Sequence, residues 1–220
     1  MKRTVYAVIP VKDPCESKTR LSSILNSESR RRLTLLMLED VILTLKNSKT
    51  LTGVVVVSSS LEVLNLAESL GCETVREGAR GVGFNRAVEL GVEYAGGLKA
   101  EAVLIMPADI PMIDPEDVDG LLLTGFRLEK PYVVISPSED GGTNALMLSI
   151  PTPITFRFGP NSYRSHLYEA ERTKSNIAVF HSKRVMLDID DEGDVVFFLK
   201  YGEGKKSWFY LKETCRESCY

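Results

Sequence analysis

The sequence predicts an α/β fold with a mixed, mostly parallel central sheet, arranged as a Rossmann-like three-layer sandwich. Short apolar runs rich in β-branched residues, typical of buried strands, alternate with longer segments that carry a helical pattern. This alternation favours parallel pairing through right-handed crossovers over about the first 125 residues. Beyond them, the stretch "SEDGGTNALML" joins two apolar runs with no helix between them.

Six apolar runs are expected to form strands. They span residues 4–11, 51–59, 100–108, 131–138, 143–150 and 184–190, the last of which is "RVMLDID". His181 is also expected to lie in a strand. Ligands of such sheets bind at the carboxyl ends of the strands, so we expect a site at the loops that follow these runs.

Six segments carry a helical pattern, and several have recognisable ends. Ser27 is a candidate cap, Gly71 is suited to end a helix, and Pro115 stands in a first turn rich in acids. Asp191 and Asp194 are expected to cap the final helix. The helical segments are 27–48, 60–71, 83–97, 114–123, 162–174 and 192–202.

Length and composition suit one globular domain. The chain has 220 residues, of which 44% are hydrophobic and 26% charged, and shows no repeat or linker. We expect a single domain over 1–220, with a core over about 1–200 and an appendage over about 201–220. The net charge of −3 gives no overall attraction to nucleic acid or to an anionic membrane. The first residues do not resemble a signal peptide, and no apolar run approaches the roughly 18 residues of a membrane span, so a cytoplasmic location is expected.

Three acids lie where apolar runs end. Asp109 follows "VLIM" within "PADIP", while Asp188 and Asp190 end the late run. Carboxylates at rigid strand ends suit Mg²⁺, which takes hard oxygen ligands and keeps waters and substrate phosphates in its shell. Because side chains alternate along a strand, we expect only one of Asp188 and Asp190 to join Asp109.

The loop after the first run is cationic and contains no glycine. Lys12, Lys18 and Arg20 lie in it, beside the expected metal edge. A nucleoside triphosphate needs its charge neutralised while one bond breaks, and lysine, arginine and magnesium supply such a clamp. The alternative is a solvated charged loop. Three other cations are expected to face solvent: Lys174, Lys183 and Arg184.

Glycine-rich segments provide further candidate contacts. In "GGTN" at 141–144, backbone amides, the Thr143 hydroxyl and the Asn144 amide could meet a ligand, although a hairpin turn also explains the glycines. "GVGFN" at 81–85 precedes a helix and could hold a base or ribose, but its glycine spacing is not that of a dinucleotide site.

"RFGPNSYRSH" at 157–166 combines Arg157 and Gly159 with a helix start at Ser162. Unpaired amides at a helix N-terminus favour a phosphate or a carboxylate, and plain capping is the alternative. His166 either faces an anion or packs in the core.

These segments occur together, in the same order, in one known family. "IPVK", "KTRL", "GFNRAVELG", "PADIP", "GGTNAL", "FRFGPNSYRSH" and "LDID" make the chain resemble the CofC family over about residues 4–195. Its members are 2-phospho-L-lactate guanylyltransferases of coenzyme F-420 biosynthesis, and bacterial relatives use phosphoenolpyruvate. "PADIP" is shared with many nucleotidyltransferases, whereas "GGTNAL" followed by "FRFGPNSYRSH" is much more specific. The resemblance implies a nucleotidyltransferase fold of the GT-A-like, nucleotide-diphospho-sugar transferase type.

The resemblance also implies an activity and a set of site residues. GMP would pass from GTP to 2-phospho-L-lactate, giving lactyl-2-diphospho-5′-guanosine and pyrophosphate, with Mg²⁺ as cofactor and a homodimer as the assembly. The implied catalytic residues are Lys12, Lys18, Arg20 and Asp109, and the metal ligands come from Asp109, Asp188 and Asp190. The expected nucleotide contacts are Pro10, Val11, Lys12, Lys18, Arg20, Asn85, Pro107 and Ala108. The expected acceptor contacts are Thr143, Asn144, Arg157, Gly159 and Ser162.

Two alternatives remain open from the sequence. A nucleotidyltransferase of the same fold could act on phosphoenolpyruvate or another phosphorylated acceptor, or the chain could bind nucleotides without turnover. Metal-dependent glycosyltransferases of this fold carry Asp-x-Asp, and Pro111 stands two residues after Asp109, which disfavours that class. A phosphate acceptor is already anionic, so the reaction needs charge neutralisation and positioning rather than a general base.

Overall fold

The computed structural model describes residues 3–78 and 83–217, and a seven-stranded sheet forms the centre of this part. The strands, numbered β1 to β7 along the chain, are Val5–Val11, Gly53–Ser58, Glu73–Arg76, Ala102–Ile105, Tyr132–Pro137, Thr143–Ser149 and Asn176–Val179. The helices, numbered α1 to α8, are Ser27–Lys46, Leu61–Ser69, Phe84–Gly97, Pro115–Phe126, Ser162–Arg172, Lys183–Met186, Glu192–Tyr201 and Lys206–Glu217.

The sheet is mixed and mostly parallel, as predicted. Its order is β3-β2-β1-β4-β6-β5-β7, and β6 runs antiparallel to both of its neighbours. The remaining pairs are parallel. The antiparallel pair arises because β5 and β6 are joined by a short turn without a helix, whereas the other consecutive strands up to β5 are joined through helices or longer crossovers.

Helices cover both faces of the sheet. Ala7 and Ile9 of β1 pack on one face with α1, α2 and α4, while Val8 packs on the other face with α3 and α5. This division follows from the alternation of side chains along a strand. Helix α3 approaches the sheet closely at Gly91, where a Cβ would lie 2.8 Å from Cγ2 of Val57.

The C-terminal helix α8 packs against the rest of the chain. Trp208 and Leu211 are buried in a third apolar cluster with Met37 of α1 and Phe198 of α7. The carboxylate of Asp40 on α1 accepts hydrogen bonds at the start of α8, from the amides of residues 206 and 207 at 2.9 Å each. The same carboxylate accepts the Ser207 hydroxyl at 2.6 Å.

The predicted strand at 184–190 is wrong. Lys183–Met186 is a short helix, and the residues after it are irregular, although Val185, Leu187 and Ile189 are buried in alternation with half-exposed neighbours. The alternation that suggested a strand is therefore real, but this segment pairs with no strand in the part of the chain that the structure describes. The true late strand is β7, and His181 lies after it rather than in a strand.

Strands β3 and β7 were missed because both are short edge strands. Each has four residues and is half buried, so neither carries the continuous apolar run that marked the inner strands.

The hydrogen bonds test the predicted helix caps and the prediction that Arg184 faces solvent. Asn26, not Ser27, caps α1 by accepting the amide of residue 29 at 2.8 Å. Asp191 caps α7 with Asp194 in a capping box, as predicted. Arg184 does not simply face solvent, since it donates to both carboxylate oxygens of Asp117 at 2.7 and 3.0 Å.

Within residues 3–78 and 83–217, no helix combines the length and apolar character needed to cross a membrane.

Candidate active site

Two adjoining clefts open at the carboxyl ends of β1, β2 and β4. Their volumes are about 370 and 560 Å³, within the range of small-ligand sites. The first cleft also reaches the acids at the end of β4. Both clefts are lined by Pro10, Val11, Lys12, Glu16 and Phe84.

The three cations of the loop after β1 differ in how exposed their side chains are. It contains two short 3-10 turns, Pro14–Glu16 and Thr19–Leu21, and Lys18 stands between them with a φ of 55°. This left-handed conformation is uncommon for a residue other than glycine. It accompanies a side chain that is only 6% exposed, whereas that of Arg20 is 73% exposed. Lys12 is exposed and lines both clefts.

The three predicted acids form one cluster. Asp109, Asp188 and Asp190 each place a carboxylate oxygen within 4.8 Å of the others. The amide of Ile189 donates to the carbonyl of Asp109 at 2.9 Å, which ties the late segment to the end of β4. Both late acids join Asp109, contrary to expectation, because their segment is not a strand and its side chains need not point to opposite faces.

Lys18 lies between two of these acids. Its Nζ donates to Oδ2 of Asp109 and to Oδ1 of Asp190, each at 2.6 Å. Burial by itself works to lower the pKa of Lys18, but the two carboxylates outweigh it, and the pKa is raised. The ammonium group is therefore charged at neutral pH.

The surroundings of Asp188 favour its protonated form. Burial, followed by the negative charge of Asp109, raises its pKa to about 6, although Nδ2 of Asn144 donates to its Oδ1 at 3.2 Å. Three carboxylates with one buried ammonium leave an excess of negative charge on oxygen ligands. This donor set fits a hard divalent cation such as Mg²⁺.

A second polar network lies at the start of β6 and α5. The Ser162 hydroxyl donates to Oγ1 of Thr143 at 3.1 Å, and Nδ1 of His166 lies 3.1 Å from the same oxygen. On the other side of the ring, the amide of Arg157 donates to Nε2 of His166 at 3.0 Å. Gly159, with a φ of 135°, completes the bend before α5.

Comparison with known proteins identifies the family. Residues 5–217 match the family described as Guanylyl transferase CofC like. The chain belongs to the CofC family. It is 34% identical over 209 residues to the 2-phospho-L-lactate guanylyltransferase of Methanobrevibacter smithii, covering 95% of this chain and 90% of that protein.

Two further relatives extend the comparison. The phosphoenolpyruvate guanylyltransferase of Rubrobacter xylanophilus is 39% identical over 193 residues, which cover 87% of this chain and 92% of that protein. A solved structure from Desulfovibrio desulfuricans, assigned to the nucleotide-diphospho-sugar transferases, superposes with a TM-score of 0.78 at 16% identity and covers 98% of both chains. The last similarity confirms the predicted fold class.

In this CofC-family chain, two predicted ligand contacts are engaged within the protein. The side-chain amide of Asn85 donates to the carbonyl of Phe158 at 3.0 Å and accepts its amide at 2.8 Å, joining α3 to the loop before α5. The amides of Gly141 and Gly142 serve the turn itself, donating to the carbonyl of Ser138 and to the carboxylate of residue 140. Gly81 and Val82 lie outside the described residues.

The hydrogen bonds that join His166 to Thr143 and Asn144 to Asp188 were not predicted from the sequence. His166 lies one turn after Ser162 on α5, and this i, i+4 spacing is the signal that places both on one helix face. Arg157, by contrast, has an exposed side chain 3.7 Å from Glu169, and only its backbone amide enters the network.

Proposed function

We propose that this CofC-family protein transfers GMP from GTP to 2-phospho-L-lactate, releasing pyrophosphate and forming lactyl-2-diphospho-5′-guanosine for coenzyme F-420 biosynthesis. The observation that carries the proposal is the acid cluster of Asp109, Asp188 and Asp190 at the edge of a cleft lined by Lys12, Lys18 and Arg20. The relatives that bear this activity in their names support the acceptor. The proposal includes a single domain over 1–220, a cytoplasmic location and a homodimer.

The chemistry follows from the charges of the reactants. A phosphate oxygen of the acceptor attacks the α-phosphorus of GTP, and the bond from that phosphorus to the bridging oxygen of the β-phosphate breaks. No proton has to be removed, because the attacking oxygen is already anionic. The barrier comes from bringing two polyanions together, so positive charge and orientation are what the protein has to provide.

The cleft residues divide these tasks. Lys12, Lys18 and Arg20 neutralise the triphosphate, and Pro10, Val11, Pro107 and Ala108 form the wall beside it. Magnesium, held by Asp109, Asp188 and Asp190, supplies further positive charge when bound.

The acceptor is assigned to the second network. We assign its phosphorylated end to Thr143, Gly159 and Ser162, with Ser162 donating its hydroxyl proton to Oγ1 of Thr143. Asn144 acts on the same site through its hydrogen bond to Asp188. Arg157 contributes its exposed guanidinium, and Asn85 positions the loop before α5.

Phosphoenolpyruvate is the second candidate acceptor, favoured by the 39% identity to the relative from Rubrobacter xylanophilus. Purified protein should be incubated with GTP, Mg²⁺ and each acceptor, and pyrophosphate should be measured together with the nucleotide product by mass spectrometry. We expect pyrophosphate only when GTP and 2-phospho-L-lactate are both present. Faster release with phosphoenolpyruvate would reassign the acceptor. GTP binding without product from any acceptor would overturn the catalytic proposal.

A further inference from the structure

The imidazole of His166 has a defined tautomer. The ring is fully buried, and its Nε2 faces the backbone amide of Arg157 at 3.0 Å. A backbone N–H can only donate, so Nε2 must accept and cannot carry a proton. In the neutral ring the proton therefore lies on Nδ1, which is 3.1 Å from Oγ1 of Thr143.

The ring is also held neutral. Burial lowers the pKa of His166 to about 4, against the opposing influence of Glu169 on the same helix. Its ring packs edge to face with Phe158, with the two ring centroids 4.7 Å apart. A second proton would also break the hydrogen bond from the amide of Arg157.

The tautomer decides the direction of the Thr143 hydroxyl. Oγ1 of Thr143 accepts from Nδ1 of His166 and from the hydroxyl of Ser162, so its two lone pairs are engaged. Its own proton has to be donated elsewhere, and no acceptor for it is found within residues 3–78 and 83–217. A hydroxyl arranged in this way acts only as a donor.

We propose that His166 is a positioning residue for the acceptor: its Nδ1–H fixes Thr143 as a hydrogen-bond donor toward an anionic oxygen of the phosphorylated substrate. This inference rests on the proposed function for the identity of the acceptor. A donor-only site favours ionised phosphate or carboxylate oxygens, which only accept, over neutral hydroxyl groups, which would bring a proton of their own.

The tautomer is tested on the unmodified protein by ¹⁵N NMR of its imidazole groups. The chain contains two histidines, and His181→Gln, at an exposed position, assigns the spectrum by removing one of them. We expect a pyrrole-type Nδ1, a pyridine-type Nε2 and a scalar coupling between Nε2 and the amide nitrogen of Arg157. A pyrrole-type Nε2 would overturn the inference whatever the catalytic activity.

Two variants distinguish the role of Nδ1 as a donor from the role of Nε2 as an acceptor. In His166→Gln, the amide oxygen can still accept from the amide of Arg157, but the donor to Thr143 is lost. In His166→Asn, a donor remains near Thr143 and the acceptor for Arg157 is lost. We expect His166→Gln to raise KM for the acceptor at least about tenfold, the size of a lost hydrogen bond to a charged group, with little change in KM for GTP. His166→Asn should raise KM for the acceptor less than His166→Gln does.

A double-mutant cycle distinguishes positioning from general structural damage. Thr143→Val removes the hydroxyl, so adding His166→Gln to it should cause little further rise in KM for the acceptor. Additive effects, or equal effects on both substrates, would contradict the inference. If the wild-type protein forms no product from any acceptor, the proposed function fails, while the NMR result still decides the tautomer.

Discussion

Nζ of Lys18 lies 2.6 Å from Oδ2 of Asp109, and the same ammonium group contacts Asp190 at the same distance. The lysine thus contacts two carboxylates, and offsets one negative charge, of the cluster in which a divalent cation is proposed to bind. A cation that takes these oxygens as ligands has to displace the ammonium group, which is then free to meet the triphosphate in the same cleft.

Replacement of Lys18 should therefore change how the protein responds to metal. In Lys18→Met the three acids lose their buried counter-charge, and we expect the free energy of unfolding without metal to fall by about 1–3 kcal/mol. Mg²⁺ or Mn²⁺ should then raise Tm more in the variant than in the wild type. Thermal unfolding across a metal titration measures both effects, and equal metal-induced shifts would show that Lys18 does not compete for the site.

Asp109 should be indispensable for turnover. Asp109→Asn keeps the shape of the side chain but removes one charge from the cluster, and we expect kcat to fall by about 10²–10³-fold. Asp119→Asn is the matched control, because Asp119 contacts Ser48 and Thr50 away from the clefts. Near-normal activity of Asp109→Asn in the pyrophosphate assay would refute the metal assignment.

Arg20 should serve the nucleotide rather than the acceptor. Its side chain is 73% exposed at the cleft and forms only a long ion pair, 4.0 Å, with Asp190, so its guanidinium can contact a triphosphate. We expect Arg20→Ala to raise KM for GTP about tenfold, with a much smaller change in KM for the acceptor. Lys183→Ala removes an exposed cation from α6 and serves as the control. Equal changes in the KM values for GTP and for the acceptor would show that the loop does not serve GTP alone.

The buried histidine should make the fold sensitive to acid. The folded-state pKa of His166 is about 4, below the ordinary value of 6.5. The unfolded state therefore binds more protons between these values, and stability is lost as pH falls through this window, by about 3 kcal/mol at most. Chemical unfolding at a series of pH values should show this loss in the wild type and a flatter profile in His166→Gln. Parallel profiles would contradict the assignment.

The C-terminal helix should contribute to global stability. Trp208 is buried among residues of α1 and α7, and its indole N–H donates to the carbonyl of Leu199 at 2.8 Å. We expect Trp208→Ala to lower the free energy of unfolding by about 3–5 kcal/mol. Phe209→Ala, at a neighbouring side chain that is 53% exposed, should cost far less. Similar losses from both substitutions in denaturant titrations would indicate that α8 packs differently.

The inner strands and most helices were predictable because they depend on local periodicity. Val8 and Ile9 face opposite cores simply because neighbouring side chains alternate along β1. The same rule misled at 184–190, where the end of a short helix and an irregular segment bury alternate residues without joining the sheet. Edge strands β3 and β7 were not predicted, because a half-exposed strand does not require a continuous run of apolar residues.

The sequence by itself determined which chemical groups the site has: an acid at the end of β4, a cationic loop after β1, and hydroxyls at Thr143 and Ser162. Only the tertiary structure decided that Lys18, rather than Lys12 or Arg20, is buried between acids 91 and 172 residues away along the chain. It also brought both late acids to Asp109 and set the tautomer of His166. Such contacts depend on how irregular segments pack, and no local period in the sequence encodes that packing.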